Sequence, residues 1–96
     1  MYVTVNTIKV PAPAAAKMLD AFRKSAPDMK QVKGFVGFEL WQGEDGTILA
    51  IAKWDSKEAS EEYPRSEMFR RHHAGVSSSD MQAGAQMAYY NGEVVV

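Results

Sequence analysis

Residues 32–54 read VKGFVGFELWQGEDGTILAIAKW. Residues 32–42 and 47–54 are rich in aromatic and β-branched types, and Gly43-Glu44-Asp45-Gly46 between them is a turn signal. Together they predict a β-hairpin. Simple alternation puts Val36, Phe38 and Leu40 on one face of the first strand and Phe35, Gly37 and Trp41 on the other. In residues 48–54 both alternating sets carry apolar side chains. A sheet with helices on one side only has one polar face. This hairpin has too little polarity on either face, so a second subunit is expected over the open one.

Outward from the hairpin, Ala15, Met18, Leu19, Phe22 and Ala26 recur at helical spacing, with Lys17, Asp20, Arg23 and Lys24 on the opposite side. Pro27 is expected to stop that helix. Residues 2–10 alternate and are rich in β-branched types, which predicts a strand ended by Pro11 and Pro13. Downstream, Ser56 is a candidate N-cap for a second helix beginning at Lys57, Glu58 and Ala59. Pro64 should break it near Tyr63. Ser66 can cap a renewed turn through Met68, Phe69, His72 and His73, closed by Gly75. Residues 76–84, VSSSDMQAG, read as a mobile loop, and residues 85–96 as a last strand interrupted at Asn91-Gly92. The order β-α-β-β-α-β is the split βαβ pattern of an α+β, ferredoxin-like domain.

Ninety-six residues allow one domain, 1–96, with no internal repeat or linker. A domain this short buries a modest share of its surface. Without cysteines, extra stability has to come from a partner subunit or a bound cofactor. Eleven Lys+Arg against twelve Asp+Glu give a net charge of -1, which argues against nucleic acid. The N-terminus alternates instead of forming a basic segment and a long apolar run, so neither a secretory signal nor a membrane span is expected. The expected location is the cytoplasm. The absence of cysteine and the presence of only two adjacent histidines make a zinc site poor. No Gly-rich phosphate loop follows a strand, and no Ser/His/Asp set has a motif frame.

The residues resemble the antibiotic biosynthesis monooxygenase group of dimeric α+β barrels, and within it the IsdG-type haem-degrading monooxygenases. The likeness runs through Val5-Asn6 with Ile8 and Val10, through Gly34-Phe35-Val36-Gly37-Phe38, and through Trp54-Asp55-Ser56-Lys57-Glu58-Ala59. It ends on Arg65-Ser66-Glu67-Met68-Phe69-Arg70-Arg71-His72-His73. In that family a strand Asn, a helix Trp and a helix His form the catalytic set. The Asn matches Asn6. The frame Ser-x-x-Phe-x-x-x-His matches the ligand His to His73, and the helix Trp then falls on Tyr63, a departure. Trp54 matches a different, structural tryptophan.

The resemblance implies that Asn6 donates a hydrogen bond on the distal side of haem and that His73 is the proximal iron ligand. Tyr63 would press on the porphyrin and ruffle it less than Trp would. Phe22 matches an aromatic wall of the pocket, and Arg70, with Arg71, Arg23 and Lys24, could meet the propionates. From the residues alone, each has a plainer reading. Asn6 could bond a neighbouring loop, Tyr63 and Phe22 could be core side chains, and the histidines could lie at a solvated helix end. His72 and His73 point about 100° apart, so only one faces a given pocket. The segment Gly75 to Gly84 is a candidate lid.

The expected protein is therefore a homodimeric haem-degrading monooxygenase. Haem would be both substrate and cofactor, O2 the oxidant, and an external donor, such as a reductase, the source of electrons. Two alternatives share the fold: a cofactor-independent monooxygenase of quinol- or polyketide-like aromatics, and a non-catalytic haem-binding module.

Overall fold

The computed structural model describes residues 1–72 and 85–96. Strand β1 (Tyr2–Ile8) leads through Pro11 into helix α1 (Ala12–Ser25), followed by β2 (Phe35–Gln42), β3 (Ile48–Trp54), α2 (Lys57–Glu62), α3 (Glu67–His72) and β4 (Ala85–Asn91). The strands form one antiparallel sheet in the order β2-β3-β1-β4. This is the expected α+β, ferredoxin-like arrangement.

Local chemistry accounts for most boundaries. In the β2–β3 turn, the Gly43 N–H donates to the Thr47 carbonyl at 2.8 Å, and Gly46 takes φ +90°. The Asp45 carboxylate accepts from the Thr47 N–H at 3.0 Å. Ser56 caps α2 by accepting the Ala59 N–H at 3.2 Å. Pro64 ends α2 as expected, and residues Tyr63–Arg65 form a 3₁₀ turn. Ser66 then restarts the helix, accepting the Phe69 N–H at 3.1 Å while donating to the Tyr63 carbonyl at 2.6 Å.

Two expectations need correction and one refinement. α1 ends at Ser25, just before Pro27 as expected, but the chain passes directly into a 3₁₀ helix, Ala26–Gln31. Proline fits the first turn of such a helix, where its missing N–H has no acceptor to lose. β2 accordingly begins at Phe35, and β1 and β4 end at Ile8 and Asn91. The faces of β2 also differ from simple alternation. Phe35 pairs with Trp54 and Gly37 with Lys53, so Val36 is an extra, bulged residue. Phe35 joins Phe38 and Leu40 on one face, and Val36 is left 52% exposed.

The helices cover the face of the sheet that carries Ile8, Ile48, Ala50 and Trp54. Two apolar clusters form there. Ile8, Ile48 and Ala15 pack with Met18, Leu19, Phe22 and Leu40 under α1. Trp54, Met29 and Ala59 pack with Phe35, Tyr63 and Met68 under α2 and α3. The other face carries Val3, Val5, Leu49 and Ile51 in register, with Trp41 and Tyr90 exposed at its two edges. Its main polar feature is the Lys53–Glu39 ion pair, with the Trp41 indole donating to the Glu39 carboxylate at 2.9 Å. The Lys53 ammonium, then Trp41, hold the Glu39 carboxyl below its usual range.

Candidate active site

Asn6 lies between the two apolar clusters, on the helix-bearing face. Its neighbours in register are Ala50 on β3 and Met87 on β4. Thr4, two residues away on the same face, stands between Ala52 and Tyr89. The two alanines put almost no bulk over the middle of the sheet. The Asn6 Oδ1 atom is buried and, among the described residues, accepts no hydrogen bond. An unpaired buried acceptor costs about 1–3 kcal/mol. A 180° turn about χ2 would present the NH2 in its place, so the amide can offer either polarity to a ligand.

Aromatic side chains flank this point on both sides. Toward α1, Phe22 meets Phe38 with centroids 5.7 Å apart and also packs on the Ile8 cluster. Phe22 therefore serves the core. Toward α2 and α3, Trp54 contacts Phe35 at 5.6 Å and Tyr63 at 5.8 Å, and Tyr63 contacts Phe69 at 5.3 Å. Trp54 is structural, as expected, and only 2% exposed. Tyr63 occupies the turn that Pro64 makes. Burial pushes its hydroxyl pKa above the usual tyrosine range. It also lines a cavity of about 290 Å3 with Val32, Lys33, Ala59, Glu62 and Met68, and Asn6 does not border that cavity.

Beyond Asn6 the face is open. Met87 is 50% and Tyr89 59% exposed, although both project to the side on which the helices lie. Tyr89 is steadied by a near-parallel contact with Tyr2 at 6.4 Å. Together they form an apolar ledge beside the unpaired amide. Sequence reasoning missed this ledge because nothing local identifies it. Met87 becomes Asn6's neighbour only through β1–β4 pairing.

Arg70 on α3 is exposed and donates to the Arg65 carbonyl at 3.4 Å, so its guanidinium lies along the surface of the turn. Arg23 is exposed, and Lys24 is held by Asp20 at 2.9 Å. His72 is the last residue of α3. His73 and the Gly75–Gly84 segment lie outside the described residues. Among the described residues, no group of three or more His, Cys, Asp or Glu could hold a bare metal ion, and no helix is long and apolar enough to cross a membrane.

The profile of the antibiotic biosynthesis monooxygenase family matches residues 1–75. A haem-degrading monooxygenase of Listeria monocytogenes is 33% identical over 84 residues, covering 76% of this chain and 69% of that protein. The structure of the haem degrader MhuD from Mycobacterium tuberculosis, with two haems bound in its active site, superposes with a TM-score of 0.75 at 28% identity. It covers 100% of this chain and 97% of MhuD. The cofactor-independent oxygenase SnoaB from Streptomyces nogalater reaches a TM-score of 0.75 at 20% identity, over 99% of this chain and 95% of its own. This last likeness speaks to the fold alone.

Proposed function

The chain belongs to the antibiotic biosynthesis monooxygenase family, and from that membership we propose that it is a haem-degrading monooxygenase that opens the tetrapyrrole and frees its iron. The observation that carries this reading is the buried Asn6 Oδ1, which has no hydrogen-bond partner among the described residues, on a mainly apolar face. Such a group is kept at a cost in stability and gains a partner when ligand binds. A haem suits the surroundings. It is broad, flat and apolar, as the ledge of Met87 and Tyr89 and the aromatic flanks require, and it brings one polar centre to the amide. The relatedness to proteins named as haem degraders supports the same choice of ligand.

In this reading haem is the substrate and supplies the oxygen-activating iron. Asn6 holds and orients a polar ligand on the distal side. His73 is the iron ligand, in the neutral form that ligation needs. Phe22 forms part of the wall. Tyr63 acts through its packing on Trp54 and Phe69, supporting α3. Arg70 is free to leave the Arg65 carbonyl for a propionate. O2 and an external electron donor complete the reaction. A second copy covers the open sheet face, making the homodimer, and the cysteine-free chain works in the cytoplasm.

The test is a titration of the protein with haemin, followed by ascorbate under air. The reading predicts a Soret shift that His73→Ala abolishes and His72→Ala leaves, then bleaching of the band. A shifted band that persists after ascorbate marks a haem carrier. No shift at all marks an oxygenase of organic aromatics.

A further inference from the structure

Met87 is the direct cross-strand neighbour of Asn6, on the same face of the sheet, and half of its surface is open. Paired side chains of an antiparallel ladder have Cβ atoms about 5 Å apart. The thioether therefore lies within one side chain's reach of the amide that the proposed reaction uses. The other described methionines stand elsewhere. Met29 is 7% exposed, and Met18 and Met68 pack against the two apolar clusters. Met1 is 41% exposed but precedes β1, five residues from Asn6, which is roughly 16 Å along an extended strand. Exposure alone does not separate Met87 from Met1, whereas position beside Asn6 does.

We infer that Met87 is a self-oxidation site: its sulfur intercepts peroxide formed in the cleft, and the resulting sulfoxide closes the site to further substrate. The inference rests on the haem reading above. The chemistry balances as follows. Dioxygen takes two electrons from the external reductant and two protons to give hydrogen peroxide. The peroxide O–O bond then breaks as one oxygen bonds to sulfur. The sulfur gives up two electrons, and the second oxygen leaves as water with both protons. Oxidation turns a flexible apolar side chain into a strongly polar one. The sulfoxide oxygen is an acceptor that the Asn6 NH2 can meet across the ladder once the amide turns about χ2, which takes that donor away from an incoming ligand. The apolar ledge is broken at the same stroke. Reduction by a methionine sulfoxide reductase would reopen the site.

The experiment uses the full chain in two arms. One is loaded with haemin and given ascorbate under air, with catalase outside to remove escaped peroxide. The other is haem-free and receives hydrogen peroxide. Fragment-ion mass spectrometry then counts sulfoxide at Met1 and Met87 and separates Met87 from Met81, since no Lys or Arg lies between those two. The expected result is several-fold more sulfoxide at Met87 than at Met1 in the haemin arm, and parallel oxidation of the two in the haem-free arm. Equal oxidation of both in the haemin arm overturns the inference, as does an unmodified Met87 after the Soret band has bleached. If haemin produces no Soret shift, the haem reading itself fails, and this inference fails with it. Met87→Leu supplies a second measurement. After a fixed period of turnover it should keep several-fold more of its initial haemin-binding capacity than the parent, and an equal loss would show that the sulfoxide does not close the site.

Discussion

The indole N–H of Trp54 donates to Thr4 Oγ1 at 3.4 Å, tying the end of β3 to the strand that carries Asn6 two residues further on. With 2% exposure and rings from Phe35 and Tyr63 against it, Trp54 anchors the cluster beneath α2 and α3. Trp54→Ala should lower the unfolding free energy by about 3–5 kcal/mol. Trp54→Phe keeps much of the packing and loses the hydrogen bond, worth about 1 kcal/mol. Urea titrations followed by circular dichroism measure both.

Asn6→Leu is expected to move stability and function in opposite directions. The substitution keeps the branched shape, with slightly more bulk, and removes the unpaired acceptor. The ligand-free protein should gain roughly 1 kcal/mol, since the penalty for such a group is of that order or more. Bleaching of haemin should slow sharply. Thermal melts without ligand and Soret decay with ascorbate give the two readings. A lower melting temperature would mean that the amide has a partner in solution.

The open sheet face should hold a second copy of the chain. Val3, Val5, Leu49 and Ile51 form its centre, and a stable interface buries on the order of 1,600 Å2 in total. Sedimentation should give twice the 10.6 kDa chain mass. Ile51→Lys, which places a charge between Val5 and Glu39, should shift the mass to that of one chain while circular dichroism stays unchanged. A single-chain mass for the parent protein would remove the homodimer.

Tyr63 makes alkaline stability readable. Burial raises its pKa in the folded state above the unfolded value of about 10. Between those two values the unfolded chain has released the proton and the folded chain has not. Stability is therefore full below about pH 10 and falls as pH rises through the folded pKa. Tyr63→Phe should flatten this part of the stability profile relative to the parent. Denaturant midpoints taken at several pH values on either side of the ordinary tyrosine pKa test it.

Much of the architecture was legible because local signals agreed with one another. The Gly-Glu-Asp-Gly turn, the Ser56 and Ser66 caps and the Pro64 break each act through bonds to residues a few positions away. Pro27 marked the end of α1, but the 3₁₀ helix it opens was missed, because proline is as suited to opening a helix as to ending one. The faces of β2 were misread because a bulge depends on the partner strand. At the site, Asn6 stood out as a polar residue in an apolar alternation, and family resemblance gave it a role. Met87 and Tyr89 carried no such mark, since strands far apart in sequence have to pair before their proximity exists. His73, on which the proposed iron ligation rests, lies outside the described residues.

The bulge at Val36 gives β2 something like a reading frame. Downstream of it, Phe38 and Leu40 keep phase with β3, while upstream Phe35 reaches the Trp54 cluster only because one residue is looped out. Deleting Val36 should leave the ladder from Gly37 onward intact and keep Phe35 opposite Trp54 in a regular register, while pulling Gly34 and the 3₁₀ segment one residue closer to the sheet. Strand length here is thus constrained independently of composition. Homologues or designs that lose or gain one residue before Gly37 will need a compensating change in the 3₁₀ segment, or they will have to rebuild the cluster that supports α2 and α3.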